Sequence, residues 1–274
     1  MISGFENITV ATILLILVAG FAAGWIDAVV GGGGLIQLPI MLMIPGITPV
    51  QALASNKLGS IFGTATSSVT YYRRVKVDLR TALLMAAVAL LGSLGGAVVA
   101  TLLPVAVFKP VIVVALLAVF LFTAFKPSIG NTTEPLRSGR KHYVVACAIA
   151  APIGFYDGLI GPGTGSFLVI ALVSLMGYAF LEASAKSKII NLATNAGALM
   201  FFLPNGSILW GVGLLLGAAN MAGGYLGART AVKQGNKFIR VVFLVVVLVL
   251  IIKLGIDVWN ENGLAALSTN MLRS

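Results

Sequence analysis

The chain has 274 residues, of which 59% are hydrophobic and 9% charged, with a mean hydropathy of +1.04. Soluble domains carry about 25% charged residues, and a β-barrel would read as short alternating segments instead of long apolar runs; both classes are excluded, leaving an all-α polytopic membrane protein. The formal net charge of +10 belongs to cytoplasmic loops, where Lys and Arg collect in membrane proteins, and not to nucleic acid.

Apolar segments fall at 8–30, 34–45, 50–72, 81–103 and 106–125. A stretch rich in Pro, Gly, Ser, Thr and Arg follows up to Lys141, and then come segments at 142–160, 164–178, 183–203, 207–228 and 238–258. The domain reading is a first transmembrane repeat over 1–126, a cytoplasmic linker over 127–141 and a second repeat over 142–274. The first segment is too long for a signal-peptide core, and no basic region precedes it, so no cleaved signal is expected. In each half the second segment is short for a bilayer core of about 30 Å. The first two segments of each half therefore read as broken or re-entrant pairs. The single Cys147 excludes a disulfide framework and a multi-cysteine metal site. The lone His142, beside Lys141, reads as an interfacial residue.

Orientation follows from the basic residues. Arg73, Arg74, Lys76 and Arg80 lie between the third and fourth segments, and Lys126, Arg137, Arg140 and Lys141 lie in the linker. Arg229, Lys233, Lys237 and Arg240 lie between the last two. Ten crossings that start outside put all of these loops in the cytoplasm and both termini outside the plasma (inner) membrane.

The halves repeat. Asp27 matches Asp157 at an offset of 130, and Gly34 matches Gly165, Ala54 matches Ala185 and Lys57 matches Lys188 at 131. The same offset carries Gly92-x-x-x-Gly96 onto Gly223-x-x-x-Gly227. A fixed offset held over several segments marks a true repeat. An odd number of crossings per half makes it inverted, as in many secondary transporters.

The central feature is Gly24-Trp-Ile-Asp27-Ala-Val-Val-Gly31-Gly-Gly33-Gly34, with its counterpart Asp157-Gly-Leu-Ile-Gly161-Pro-Gly163-Thr164-Gly165. Glycine is a poor helix former, so both runs should open the helix and bare backbone groups. Inside a bilayer that is tolerated only against protein or a wet cavity. A dinucleotide site would need a soluble strand before the glycines, a helix after them and an acidic residue about 20 further on, whereas these glycines lie between apolar segments and no Gly-Lys-Ser/Thr follows. A plain packing turn is one reading. The other is a half-helix N-terminus, starting at Leu35 and at Ser166, whose free N–H groups and dipole face an anion.

Lys57 and Lys188 stand well inside apolar segments, where a cation marks a pathway unless it snorkels to the surface. Lys186 lies nearer a segment end and fits snorkelling better. Asn56, Ser60 and Thr64 accompany Lys57, and Asn191 and Asn195 follow Lys188. Spacings of 3, 4 and 7 residues align Ser60 and Thr64 with Lys57, and Asn191 and Asn195 with Lys188, in one helical stripe each. Such stripes glue helices together or bind a small oxyanion by charge and hydrogen bonds. Asp27 and Asp157 should be paired with Lys, cap the broken helix, or carry a proton. The Gly92 and Gly223 motifs read as close-packing faces. No catalytic set of side chains is evident, and neither a cofactor nor a metal is expected.

These residues resemble the TauE/SafE (TSUP) family of sulfite exporters, in particular its YfcA-like branch. The likeness is carried by Gly20 to Gly34, Ala54-Ser-Asn-Lys57, Gly154-Phe-Tyr-Asp-Gly158, Gly161 to Phe167, and Lys188-Ile-Ile-Asn191 with Thr194-Asn195. The resemblance spans both halves. It implies a permease for small sulfur-containing anions such as sulfite or organosulfonates. The expected substrate-binding set is Gly33, Gly34, Asn56, Lys57, Thr64, Gly163, Thr164, Gly165, Lys188, Asn191 and Asn195, with Asp27 and Asp157 in helix breakage, pairing or coupling. The expected partners are a small anion and the lipid bilayer, with a homo-oligomer open and nucleic acid excluded. An anion channel and an intramembrane enzyme or assembly factor remain as alternatives.

Overall fold

A computed structural model describes residues 10–42, 44, 46–102, 130 and 132–271, without the side chains at 247, 250, 253–255 and 257–271. Those residues form eight helices and no strand. The first half contributes α1 (Val10–Val30), α2 (Gly34–Leu42), α3 (Pro49–Tyr72) and α4 (Leu79–Ala100). The second contributes α5 (Gly139–Leu159), α6 (Thr164–Met176), α7 (Phe180–Phe202) and α8 (Trp210–Met271). The apolar segment expected at 106–125 lies outside the described residues. The segments expected at 207–228 and 238–258 fall in α8, which breaks at Gly235, where φ is +73°.

Helix boundaries follow local chemistry. α3 starts on a capping box: Thr48 Oγ1 accepts from the Gln51 N–H, Gln51 Oε1 accepts from the Thr48 N–H, and Pro49 takes the first helical position. Asp78 caps α4 by accepting from the Thr81 N–H. α1, α4 and α5 are each long and apolar enough to cross a membrane. α2, with nine residues, reaches only about 14 Å, and α6, with 13, about 20 Å. Neither helix alone spans the hydrocarbon core. α2 begins at Gly34 and α6 at Thr164, one and two residues ahead of the expected starts at Leu35 and Ser166.

Glycines let the long helices touch through their backbones. A Cβ on Gly92 would stand 2.7 Å from the Ala151 carbonyl oxygen, and one on Gly96 would overlap that of Phe155. At the matching positions, a Cβ on Gly223 would overlap the Phe21 carbonyl oxygen and one on Gly227 would come within 2.5 Å of that of Trp25. Both motifs are close-packing faces. They run α4 alongside α5, and α8 alongside α1, each pair parallel. The contact of Gly154 with Ala89 recurs as that of Gly24 with Asn220.

Apolar and polar surfaces are inverted relative to a water-soluble protein. Val10, Leu14, Val18, Leu83, Leu91, Val144, Val241 and Val249 are exposed. Buried instead are Gln37, Asn56, Lys57, Asp157, Lys186, Lys188, Asn191, Asn195 and Asn220. An apolar exterior of this extent is matched by lipid and not by water.

Candidate functional site

The two glycine turns meet at the centre of the site. Gly31, with φ +81°, ends α1 in a conformation that only glycine adopts at low cost. Its carbonyl oxygen accepts from the Ser166 N–H at 2.7 Å and from Ser166 Oγ at 2.9 Å, and Ser166 Oγ also lies 3.0 Å from the Val30 carbonyl. A Cβ on Gly31 would overlap the Gly165 backbone, and one on Gly165 would overlap Gly31. The turn that ends α1 and the first turn of α6 are thus clamped by backbone contact between the halves. Ser166 has its amide committed to this clamp. The amides of Gly31, Gly161 and Thr164 are likewise committed, to the Asp27, Tyr156 and Gly161 carbonyls, so the N–H groups left for a ligand are among those of Gly32, Gly33, Gly34, Gly163 and Gly165.

Around this crossing lies a cavity whose empty space, counted with its open mouth, is about 310 Å³. It is lined by Asp27, Gly31, Gly33 and Gly34 from the first turn and by Asp157, Gly161, Gly163, Thr164 and Gly165 from the second. α3 adds Asn56, Lys57 and Ser60, and α7 adds Asn191 and Asn195. Both halves therefore contribute a turn and part of a polar stripe to one space.

Two ion pairs cross between the halves. Lys57 Nζ lies 2.6 Å from Asp157 Oδ2, with side chains 2% and 3% exposed. Lys188 Nζ lies 2.9 Å from Asp27 Oδ2 and also donates to the Asp27 backbone carbonyl. The carboxylates are paired with Lys and do not cap helices: Gly163 is the residue preceding α6, and no side chain caps it. Lys57 presses on the second turn, its Nζ 2.7 Å from where a Gly161 Cβ would stand. Buried ions gain from partners but cost desolvation, and removing one partner of such a pair costs about 3–5 kcal/mol.

The amides differ in how far they are satisfied. Asn195 Nδ2 donates to the Asn191 backbone carbonyl at 2.8 Å, and Thr194 Oγ1 donates to Asn191 Oδ1 at 3.2 Å. Asn56, only 3% exposed, has an amide oxygen with no hydrogen-bond partner among the described residues. Leaving a buried polar atom unpaired costs about 1–3 kcal/mol, a cost retained most readily where a ligand or water supplies the bond.

Two expected residues stand apart from the cavity lining. Thr64 is buried and donates to the Ser60 and Ile61 carbonyls, so its hydroxyl serves its own helix. Lys188 is held by Asp27 outside the lining. Ser60, Gly31 and Gly161 join the lining instead. Ser60 Oγ donates to Gln37 Oε1 at 3.1 Å, and Gln37 Nε2 donates to Asn220 Oδ1 at 2.8 Å, which ties α3 to α2 and α8. Each of these amides interrupts an apolar run, a sign visible in the sequence.

Lys186 does not snorkel. Its ammonium is fully buried, 3.3 Å from Glu182, 3.5 Å from Asp78 and over the Tyr178 ring. At the matching position in the first half, Ser55 Oγ accepts from the Leu209 N–H at 2.8 Å. Burial alone would raise the Asp78 carboxyl, but the bonds from Thr81 and the Lys186 charge hold it below the usual carboxylate range. His142 Nε2 sits 3.1 Å from Thr81 Oγ1 and 3.2 Å from the Tyr178 hydroxyl, closing this cluster at the start of α5.

An apolar-shelled helical chain with a central polar cavity built from broken helices is the form of a membrane transporter. The comparisons agree. A family model described as "Sulfite exporter TauE/SafE" matches residues 16–254, and the chain belongs to that family. It is 38% identical over 252 residues to "Probable membrane transporter protein ORF9" of a Sinorhizobium species, covering 92% of this chain and 95% of the relative. A "Probable membrane transporter protein" of Haemophilus influenzae is 35% identical over 235 residues, covering 85% and 91%. "Probable membrane transporter protein YfcA" of Escherichia coli K12 is 31% identical over 271 residues, covering 97% and 99%. No solved structure matches the chain. The chain is a membrane transporter of the TauE/SafE type, not an enzyme.

Proposed function

We propose that the chain is a secondary permease of the inner membrane for small sulfur-containing anions such as sulfite or organosulfonates. The single observation that carries this reading is the cavity at the Gly31–Gly165 crossing, where both turns, both Asn-bearing stripes and Lys57 converge. Helix N-termini, amide donors and a buried ammonium together recognise a small oxyanion. The family description, sulfite exporter, points to the same chemistry.

Transport proceeds by alternating access between inverted repeats, with Lys57, Asn56, Asn191, Asn195 and the turn N–H groups holding the anion near the midplane. The paired contacts of Gly92 with Ala151 and Gly223 with Phe21 support it, since a two-fold relation between halves requires such exchange. Arg73, Arg74, Lys76 and Arg80 orient the α3–α4 loop to the cytoplasm, leaving both termini outside.

The test is counterflow in proteoliposomes loaded with sulfite, sulfate, thiosulfate or organosulfonates in turn. Saturable exchange of one sulfur anion, lost in Lys57→Ala, is the expected result. Linear flux without counterflow would make the protein a channel, and no flux of any of these anions would overturn the reading.

A further inference from the structure

The cavity already balances its own charge. Asp157 and Asp27 supply two negative groups, and Lys57 and Lys188 supply two positive ones. An anion entering as the only change would leave a net negative charge among buried groups, beside two carboxylates that line the same space. Isolated buried charge is expensive, and a site avoids it by taking up a counter-charge or a proton. Lys57 is also already engaged, its ammonium 2.6 Å from Asp157.

We infer that the transporter binds a monovalent anion together with one proton, and that Asp157 is the proton's site. This inference rests on the permease reading above. The proton comes from the aqueous phase and adds to the Asp157 carboxylate, which turns the ion pair with Lys57 into a neutral acid beside a free ammonium. The anion then takes the place of the carboxylate as the counter-charge of Lys57. On release the carboxylate gives the proton back to water on the side where the anion leaves and pairs again with Lys57. The charge of the site is the same with proton and anion both bound as with neither.

Asp157, and not Asp27, fits this role because of the groups that face it. Among the described residues Lys57 on α3 makes one hydrogen bond, to Asp157, so the pair exchanges partners without disturbing another of these bonds. Lys188 on α7 donates to both the backbone carbonyl and the carboxylate of Asp27 on α1, a doubly fixed arrangement. Tyr156, next in the chain, spends its hydroxyl on the Pro162 carbonyl at 2.6 Å. α2 and α6 carry no titratable side chain, so these are the charges the proton meets.

The experiment uses the purified full chain in liposomes with a pH-sensitive dye inside and methanesulfonate outside. This anion is fully ionised at neutral pH, so any proton that arrives with it is carried by the protein. The expected result is acidification of the lumen with one proton per anion, at a rate unaffected by an imposed potassium-diffusion potential. Anion entry without acidification, or entry that follows the voltage, would overturn the inference while leaving the permease standing. Absence of any anion flux would instead overturn the permease reading on which it rests. In Asp157→Asn the proton-to-anion ratio should fall to near zero, whatever the remaining rate. If that variant carries no flux, Asp157→Glu decides through the pH dependence of its proton-coupled uptake: a midpoint moved from that of the wild type assigns the proton to this carboxylate, and an unmoved midpoint removes it.

Discussion

Lys57–Asp157 and Lys188–Asp27 are built from repeat-equivalent residues and cross between the halves in the same sense, yet their surroundings differ. The first pair lines the cavity with both members. In the second only Asp27 does, and Lys188 is tied to it by two hydrogen bonds. An ammonium has three donors. Lys57 keeps donors available for a ligand, whereas Lys188 fixes the end of α1. One recurring pattern of residues thus lines the cavity with both members in one pair and with a single member in the other.

The comparison depends on the crossing that positions both pairs, so the largest effect is expected there. Gly31→Ala adds about 1–2 kcal/mol of left-handed backbone cost to a Cβ that overlaps the Gly165 backbone. Loss of the monodisperse peak in detergent size-exclusion chromatography is expected, and a wild-type profile would mean the crossing is slack. Next come the pairs themselves. Lys57→Ala leaves Asp157 buried without its partner and should lose about 3–5 kcal/mol of stability, as read by thermal unfolding. The double replacements separate the roles. Lys188→Met with Asp27→Leu should restore stability and keep anion binding, while Lys57→Met with Asp157→Leu should restore stability and weaken binding. Loss of a charged hydrogen bond of about 1.5–3 kcal/mol corresponds to a ten- to hundredfold or greater rise in Kd. Equal binding in both double variants would erase the distinction drawn here.

Smaller effects sharpen the picture. Asn56→Leu removes a buried amide whose oxygen has no partner among the described residues, so it should leave stability unchanged or higher by about 1 kcal/mol while reducing affinity. A loss of stability with unchanged affinity would make Asn56 a packing residue. Asp78 gives the smallest effect, because its carboxylate is nearly half exposed and pairs of that kind contribute about 0–1 kcal/mol. Its acidity is increased on folding, so its contribution is present above the ordinary carboxylate pKa and fades as pH falls through the lower folded value. Asp78→Asn should therefore flatten the acid limb of a stability profile and change little at neutral pH.

Much of this site could be read from spacing. Asp27, Asp157, Lys57, Asn191 and Asn195 stood out because polar groups recur at offsets of 130 and 131 in apolar sequence, and the glycine turns because glycine is a poor helix former. The offset could not distinguish the two lysines, since which ammonium faces the cavity depends on helix rotation and on the neighbouring hydrogen bonds. Thr64 shares a stripe with Lys57, yet its hydroxyl returns to its own backbone, as Thr does readily in helices. Lys186 looked like a surface residue from its position in the chain. One carboxylate partner, Glu182, stands four residues earlier on the same helix, but the other, Asp78, lies in the other half of the sequence, beyond the reach of any local pattern. The helices followed hydropathy closely, and the departure at α8 reflects a single glycine kink that leaves the flanking turns helical.

The exchange of partners across the Gly31–Gly165 crossing also bears on how the chain could be divided. Each half contributes one lysine and one aspartate to the two pairs, and neither of these lysines pairs with the contributed aspartate of its own half. A fragment ending before the linker would fold with two orphan charges, so it should be unstable alone. Expressed together with its complement, it should be rescued. The ion pairs act as a mutual dependency that ties the two halves of the chain together.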